Sequence, residues 1–269
     1  MTNHDVSSED RPAVHPSKIA QFYSLNQCHA YLTHEYRPSA FAAPVDEVPL
    51  SPLLEATGNA HEREQLSALL GAFVDSIGPA DHPLAEQFDR HWEGDISEDT
   101  ATIEHLAGDI AGDEEANPLV LHEAPIQTQI EAWPVQGSAD VVLVVPTDWG
   151  AQIRVVEVKS ASETLTHHKL QAAAYALGFK HLFDESGVYV SASVTSQEVD
   201  LASVVTATGE IDLEALPQFD LRPFENDIEL LLEEGGTFDQ VLLDREKLPP
   251  HQLNAACEGC SHRARCLAH

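Results

Sequence analysis

Three residues near the middle of the chain have the types and spacing of a metal-dependent hydrolytic site. Asp140 opens the apolar run 141–145, and Glu157 and Lys159 end the next apolar run. Because side chains alternate along a strand, Glu157 and Lys159 are predicted to project to the same side of a sheet. We therefore expect two carboxylates and one ammonium group to converge there.

These residue types suit the hydrolysis of a phosphodiester. Carboxylate oxygens bind hard divalent cations, and such a cation activates water and neutralises charge on the phosphate. The ammonium of Lys159 can orient the attacking water or stabilise charge in the transition state. A Glu-x-Lys tripeptide alone is more often a solvated pair at a strand end. The upstream Asp140, together with a helix that carries Gln171 and Tyr175 one turn apart, favours the hydrolytic site.

This arrangement resembles the PD-(D/E)XK nuclease superfamily, in its RecB-like branch with a Gln-x-x-x-Tyr helix. The resemblance implies a catalytic trio, a bound Mg²⁺ or Mn²⁺, and contacts to DNA near the scissile phosphate. The trio would be Asp140, Glu157 and Lys159, the metal ligands would include Asp140, Glu157 and Val158, and the DNA contacts would be Gln171 and Tyr175.

A histidine is a further candidate metal ligand. His61 ends the sequence Gly58-Asn-Ala-His61, which we place at the start of an amphipathic helix with apolar residues at helical spacing. RecB-like nucleases carry a Gly-x-x-His motif whose histidine completes the metal site. Since the chain has 15 histidines, a surface role for His61 is the alternative. An imidazole beside two carboxylates would favour Mn²⁺ over Mg²⁺.

The four cysteines divide into one near the N-terminus, Cys28, and three in a tail, Cys257, Cys260 and Cys266. Structural zinc sites usually draw two close pairs from the chain, whereas four thiolates also bind a [4Fe-4S] cluster. The division resembles the iron-sulfur subfamily of RecB-like nucleases, in which the first cysteine follows a Ser-x-Ile-x-x-Phe helix like 17–22 here. We expect one [4Fe-4S] cluster that joins the two ends of the domain, with zinc or free thiols as alternatives.

The chain is strongly acidic, with 14 basic and 45 acidic residues and a formal net charge of -31. This charge is unusual for a DNA enzyme, because affinity for phosphates normally comes from Lys and Arg. It is typical of adaptation to high salt, where screening is strong, and it predicts a halophilic archaeal source. Basic residues nevertheless recur around the motifs, at Arg154, Lys159, Lys169 and Lys180.

The coarse pattern predicts one α/β domain with a mixed sheet in the order β-β-β-α-β. We expect a helix from Ser17 to Tyr36, several helices within 50–112, and a late helix near 225–234. The core elements are strands at about 119–132, 135–146 and 152–159, a helix at 166–180 and a strand at 187–195. The predicted divisions are a disordered tail (1–16) and one nuclease domain (17–269), made of a helical region (17–118), a nuclease core (119–215) and a C-terminal helix with the cysteine tail (216–269).

The length and motifs are most similar to those of the exonucleases associated with CRISPR adaptation. We expect a deoxyribonuclease that acts on single-stranded DNA or single-stranded ends, with CRISPR integrase proteins as partners. The alternatives are a stand-alone DNA-repair nuclease and a non-catalytic DNA-binding module held together by the cluster. The polar, acidic N-terminus and the absence of a long apolar run predict a cytoplasmic protein with no membrane association.

Overall fold

A computed structural model describes residues 11–38, 52–77, 96–112, 116–183, 188–197, 199–206, 208, 210–243, 249–250 and 253–268. In chain order, its main elements are α1 (Pro16–Ser24), α2 (His29–Tyr36), α3 (Pro52–Ile77), α4 (Ile96–Ala111), β1 (Leu119–Ile130), β2 (Trp133–Thr147), β3 (Gly150–Val158), α5 (Thr166–Leu182), β4 (Val188–Thr195), α6 (Arg222–Leu232) and α7 (Arg263–Ala268). Short 3₁₀ turns at Leu201–Val204, Leu213–Ala215 and Ala255–Gly259 and a π turn at Asp239–Leu243 lie between the later elements.

The four strands form one mixed sheet in the order β1-β2-β3-β4. The β1–β2 and β2–β3 pairs are antiparallel, whereas β3 and β4 are parallel and are connected through α5. A parallel pair needs such a crossover, because a tight hairpin can only join antiparallel strands. The predicted α/β class and the β-β-β-α-β order are confirmed, and each core element begins and ends within two residues of its predicted bounds.

Both faces of the sheet are covered. One face packs on α4 and α5, and the other packs on Leu66 and Leu69 of α3 and on the 3₁₀ turns. The outer side of α5 packs in turn on α1, α2 and α6. Residues 172–179 of α5 are therefore all buried, which explains the run of small residues there. Burial on both faces also accounts for the continuous apolar runs in β2 and β3.

The single helix predicted from Ser17 to Tyr36 is wrong, because the chain forms two helices there. Asn26 and Gln27 have φ values of 55° and 54°. Two successive residues in the left-handed region cannot continue a right-handed helix. Cys28 consequently lies at the N-cap of α2 instead of within a longer helix.

Ordered structure begins nearer the N-terminus than we predicted. Residues 11–16 were predicted to belong to a disordered tail, but Val14 is fully buried and pairs with Val135. The Arg11 guanidinium also contacts the Asp239 carboxylate at 3.2 Å. Residues 1–10, the segment 78–95 of the helical region and residues 113–115 lie outside the described residues. Within the described part of the chain, no helix is long and apolar enough to span a membrane.

One glycine of β2 gives a stability test. A Cβ at Gly137 would lie 2.9 Å from the Tyr175 hydroxyl and 3.2 Å from Cδ of Pro16. We expect Gly137→Ala to lower the free energy of unfolding by roughly 1–3 kcal/mol, as overpacking does. Gly71→Ala in α3 is the matched control, since a Cβ there meets nothing within 4 Å and alanine favours a helix by about 1 kcal/mol. Denaturant unfolding of both variants tests this, and equal midpoints would contradict it.

Candidate functional site

The sheet is irregular at Asp140. Ala139 packs on the α5 side and Val141 on the α3 side, although residues two apart in a regular strand share a face. On the neighbouring strand, Glu123 has a φ of 48°. Non-glycine residues rarely adopt this conformation, and such strain clusters at functional sites. This change of face in β2 lies at the residue predicted to open the site.

The structure brings Asp140, Glu157 and Lys159 together. The backbone N–H of Val158 donates to Oδ2 of Asp140 at 2.7 Å. Glu157 is fully buried, and its Oε1 is ion-paired with the Lys159 ammonium. The two carboxylates come from adjacent strands, and the lysine reaches back over the end of β3.

Without a bound cation, burial and mutual repulsion disfavour the ionised form of the two carboxyl groups and raise their pKa values. Burial, and then the charge of Asp140, raise the pKa of Glu157 to about 8 against the opposing effect of Lys159. Burial likewise raises the pKa of Asp140. Burial alone would lower the pKa of Lys159, but the charges of Glu157 and Asp140 outweigh it and raise that pKa. One ammonium does not neutralise this group, so the site favours a further cation.

Two buried polar atoms are candidate metal ligands. Oε2 of Glu157 and Nε2 of His61 are both buried without a hydrogen-bond partner among the described residues. Buried polar atoms without partners are rare, and an ion is one explanation for them. His61 lies in the middle of α3, not at the helix start that we predicted, because α3 already begins at Pro52.

Glu62, His122 and Glu123 form a neighbouring group that the sequence analysis missed. Nε2 of His122 lies 3.6 Å from Oε1 of Glu62, and one ligand atom from each of the three residues lies within 4.8 Å of the others. The charge of Glu62 contributes to the raised pKa values of both Asp140 and Lys159. The only sequence signal was the position of Glu62 next to His61.

The two residues expected to contact DNA differ in their surroundings. Gln171 is half-buried. Tyr175 is only 4% exposed and belongs to the core between α5 and the sheet. Its hydroxyl hydrogen-bonds to the backbone of Ser138. A ring buried in this way supports β2 and leaves little surface on which a base could stack, and the DNA contact expected of Tyr175 stays a prediction.

Two histidines at the start of α5 border Lys159. Nδ1 of His168 accepts a hydrogen bond from the backbone N–H of Leu165 at 3.2 Å, which caps the helix. Burial, and then the charges of His167 and Lys159, lower the pKa of His168 to about 4. Burial and Lys159 lower the pKa of His167 as well. Both rings are therefore neutral at pH 7 and add no positive charge to the site.

The four cysteines converge in the layer beyond α5. One small cavity is lined by Cys28, Cys257, Cys260 and Cys266, together with Leu25 and Tyr31. Burial, and then the other cysteines, raise the pKa of the Cys266 thiol to about 11. The thiols are therefore close enough to repel one another as thiolates. A bound cation would remove this repulsion.

Several sulfurs face hydrogen-bond donors. The backbone N–H of Asn254 lies 3.3 Å from Sγ of Cys257, and the backbone N–H of His262 donates to Cys260. Nε2 of His34 lies 3.5 Å from Sγ of Cys266. Donors aimed at sulfur stabilise the thiolate form, in which cysteine binds metals.

A mixed α/β sheet that carries two carboxylates on its central strands, with a lysine directly after one of them, is typical of a class of metal-dependent hydrolases. Residues 26–267 match the family model of the PD-(D/E)XK nuclease superfamily, and the chain belongs to that superfamily. No curated protein matches the chain. Membership implies metal-dependent hydrolysis of phosphodiester bonds in nucleic acids, with divalent ions such as Mg²⁺ or Mn²⁺.

Proposed function

We propose that the protein is a DNA exonuclease whose catalytic residues are Asp140, Glu157 and Lys159. The observation that carries this proposal is the pairing of half-buried Asp140 from β2 with fully buried Glu157 from β3, with the Lys159 ammonium held against Glu157. A non-catalytic DNA-binding module has no need to hold two like charges together at such a cost in desolvation. The intact trio therefore favours catalysis over a purely structural role.

Asp140, Glu157, His61 and Val158 would hold Mn²⁺ or Mg²⁺. The unpartnered Oε2 of Glu157 and Nε2 of His61 support this ligand set. A bound ion of this kind supplies Lewis acidity and lowers the pKa of water. The chain contributes the ligands and the Lys159 ammonium, which can orient the water or stabilise charge on the phosphate.

Cys28, Cys257, Cys260 and Cys266 would bind one [4Fe-4S] cluster. Their convergence on a single cavity and the N–H donors that face their sulfurs support a metal-bound thiolate group. The arrangement of one cysteine before and three after the core resembles that of iron-sulfur RecB-like nucleases. The cluster would fasten α2 to the C-terminal tail and need not transfer electrons.

The substrate and the setting rest on the same resemblance. We propose single-stranded DNA or DNA with single-stranded ends as substrate, cytoplasmic CRISPR adaptation as the setting and integrase proteins as partners. Gln171, half-buried near the start of α5, and Tyr175, one turn further along the helix, are the proposed DNA contacts. The alternative setting is DNA repair by the same activity, which an integration assay with and without this protein would distinguish.

Degradation of linear and circular single-stranded DNA in Mn²⁺ tests the exonuclease proposal. We expect the linear strand to be degraded and the circle to remain intact, because an exonuclease needs an end. Labelling the 5′ or the 3′ end of the linear strand would give the polarity. Glu157→Gln is the control for contaminating nucleases. Cutting of circle and linear strand at equal rates would show an endonuclease.

Salt should activate this enzyme. With a net charge of -31, the surface repels DNA and itself at low ionic strength, and added salt screens this repulsion. We expect the cleavage rate and the thermal midpoint to rise with KCl into the molar range, in contrast to binding through lysine and arginine contacts, which weakens with salt. A KCl titration at fixed Mn²⁺ measures both. Maximal activity at about 0.1 M KCl, where the Debye length is still about 10 Å, would contradict the halophilic interpretation.

A further inference from the structure

A pair of buried histidines borders the cysteine cavity. His34 of α2 is 1% exposed and His262, between Cys260 and Cys266, is 4% exposed. Their rings stack with centroids 5.3 Å apart and planes inclined by 29°. Burying two imidazoles is unfavourable unless their nitrogens are hydrogen-bonded. The contacts of the ring nitrogens therefore indicate the role of each histidine.

His34 is directed at a sulfur. Its Nε2 lies 3.5 Å from Sγ of Cys266. A free thiol could donate weakly to a ring nitrogen, but a metal-bound thiolate can only accept. With a cluster in place, the Nε2–H of His34 must therefore be the donor and Cys266 the acceptor.

The orientation of His34 is fixed by its neighbours. Nε2 of His262 lies 2.7 Å from Oε2 of Glu35, and Glu35 is also ion-paired with Lys18 of α1. The hydrogen bond to His262, opposed by burial and reinforced by Lys18, lowers the pKa of Glu35 to about 2, so this carboxylate stays ionised. The His262 ring is thereby anchored, and the His34 ring stacks against it.

We propose that His34 is a positioning residue for the iron-sulfur cluster, through a hydrogen bond from its Nε2–H to the Cys266 thiolate. The reduction potential of a cluster depends on the hydrogen bonds that its sulfurs accept. Reduction adds negative charge to the cluster, and a donor aimed at sulfur stabilises the reduced form more than the oxidised form. His34 therefore raises the potential of the cluster. This inference rests on the proposed cluster and does not involve the hydrolytic site.

The test is a redox titration of anaerobically purified protein, followed by visible absorbance and electron paramagnetic resonance. In His34→Phe, which fills the same space without a donor, we expect the ratio of reduced to oxidised cluster at a fixed potential to fall about tenfold, equivalent to about 59 mV for one electron. His34→Gln keeps an N–H donor and should recover part of this shift. His29→Phe is the matched control, because His29 lies on the same helix but is exposed, and it should keep the wild-type potential.

Measuring iron and acid-labile sulfide in each variant distinguishes failure of the proposed His34 role from failure of the proposed cluster. A full cluster in His34→Phe at the wild-type potential would overturn the role of His34 while leaving the cluster intact. A potential shifted equally in His29→Phe would also overturn it, because the effect would then not depend on the hydrogen bond. Wild-type protein with zinc and no sulfide would overturn the proposed cluster, and this assignment with it. Cleavage activity retained in all variants would leave the proposed nuclease unaffected.

Discussion

Lys159→Ala is expected to reduce DNA cleavage in Mn²⁺ by at least roughly 10²–10³-fold, the loss that follows removal of one group aimed at developing charge. Among the described residues, the Lys159 ammonium is the one positive charge that pairs with Glu157, whereas both carboxylates remain in the variant. Mn²⁺ binding should therefore persist, which electron paramagnetic resonance can measure. Single-turnover cleavage of an end-labelled oligonucleotide gives the rate.

Lys180→Ala is the matched control for this experiment. Lys180 lies on α5, and its side chain is 55% exposed and pairs with Glu225 at 3.4 Å. Exposed ion pairs of this kind contribute little, so cleavage and stability should stay close to wild type. Wild-type cleavage by Lys159→Ala, with metal binding intact, would show that the site is assigned incorrectly.

Cys28→Ala should have the largest effect on stability. Binding Cys28 and Cys257 to one cluster closes a segment of 229 residues, from 28 to 257. Cross-links across loops of this size contribute on the order of 5 kcal/mol to the free energy of unfolding. For a domain of this size we expect the thermal midpoint to fall by roughly 10–20 °C, together with loss of the broad visible absorbance of the cluster.

The neighbouring His29→Ala is the control for Cys28→Ala, since His29 is exposed beside it. It should retain both the absorbance and the thermal midpoint. Residual cleavage by Cys28→Ala, measured below its midpoint, should show the wild-type dependence on Mn²⁺, because the cysteines lie beyond α5 from the hydrolytic site. A variant with unchanged stability would exclude Cys28 from any cross-link.

The sheet could be predicted because its signals are local. The apolar run 141–145 and the alternation through Glu157 and Lys159 follow from burial and strand geometry, and the described strands match them closely. The helix break at Asn26 and Gln27 could not be predicted in the same way. Asparagine tolerates the left-handed region, but neither glycine nor proline marks the position.

The missed residues of the site depend on contacts distant in sequence. Glu62 reaches His122 from α3 to β1, and no spacing along the chain indicates that approach. Tyr175 matched a motif, but whether its ring faces solvent or the core depends on how α5 packs between the sheet and the terminal helices. Motifs identify residue types, whereas tertiary packing decides which of their atoms are accessible.

The most direct test of the account is metal-dependent cleavage of end-labelled single-stranded DNA by the wild-type protein and by Glu157→Gln. We expect the wild type to cleave in Mn²⁺, to stop when the ion is chelated and to resume when Mn²⁺ is restored, because the ion neutralises the Asp140–Glu157 pair. Glu157→Gln should remain inactive at every step while keeping its fold. Cleavage that persists under chelation, or that Glu157→Gln performs at the wild-type rate, would contradict the assignment of this site.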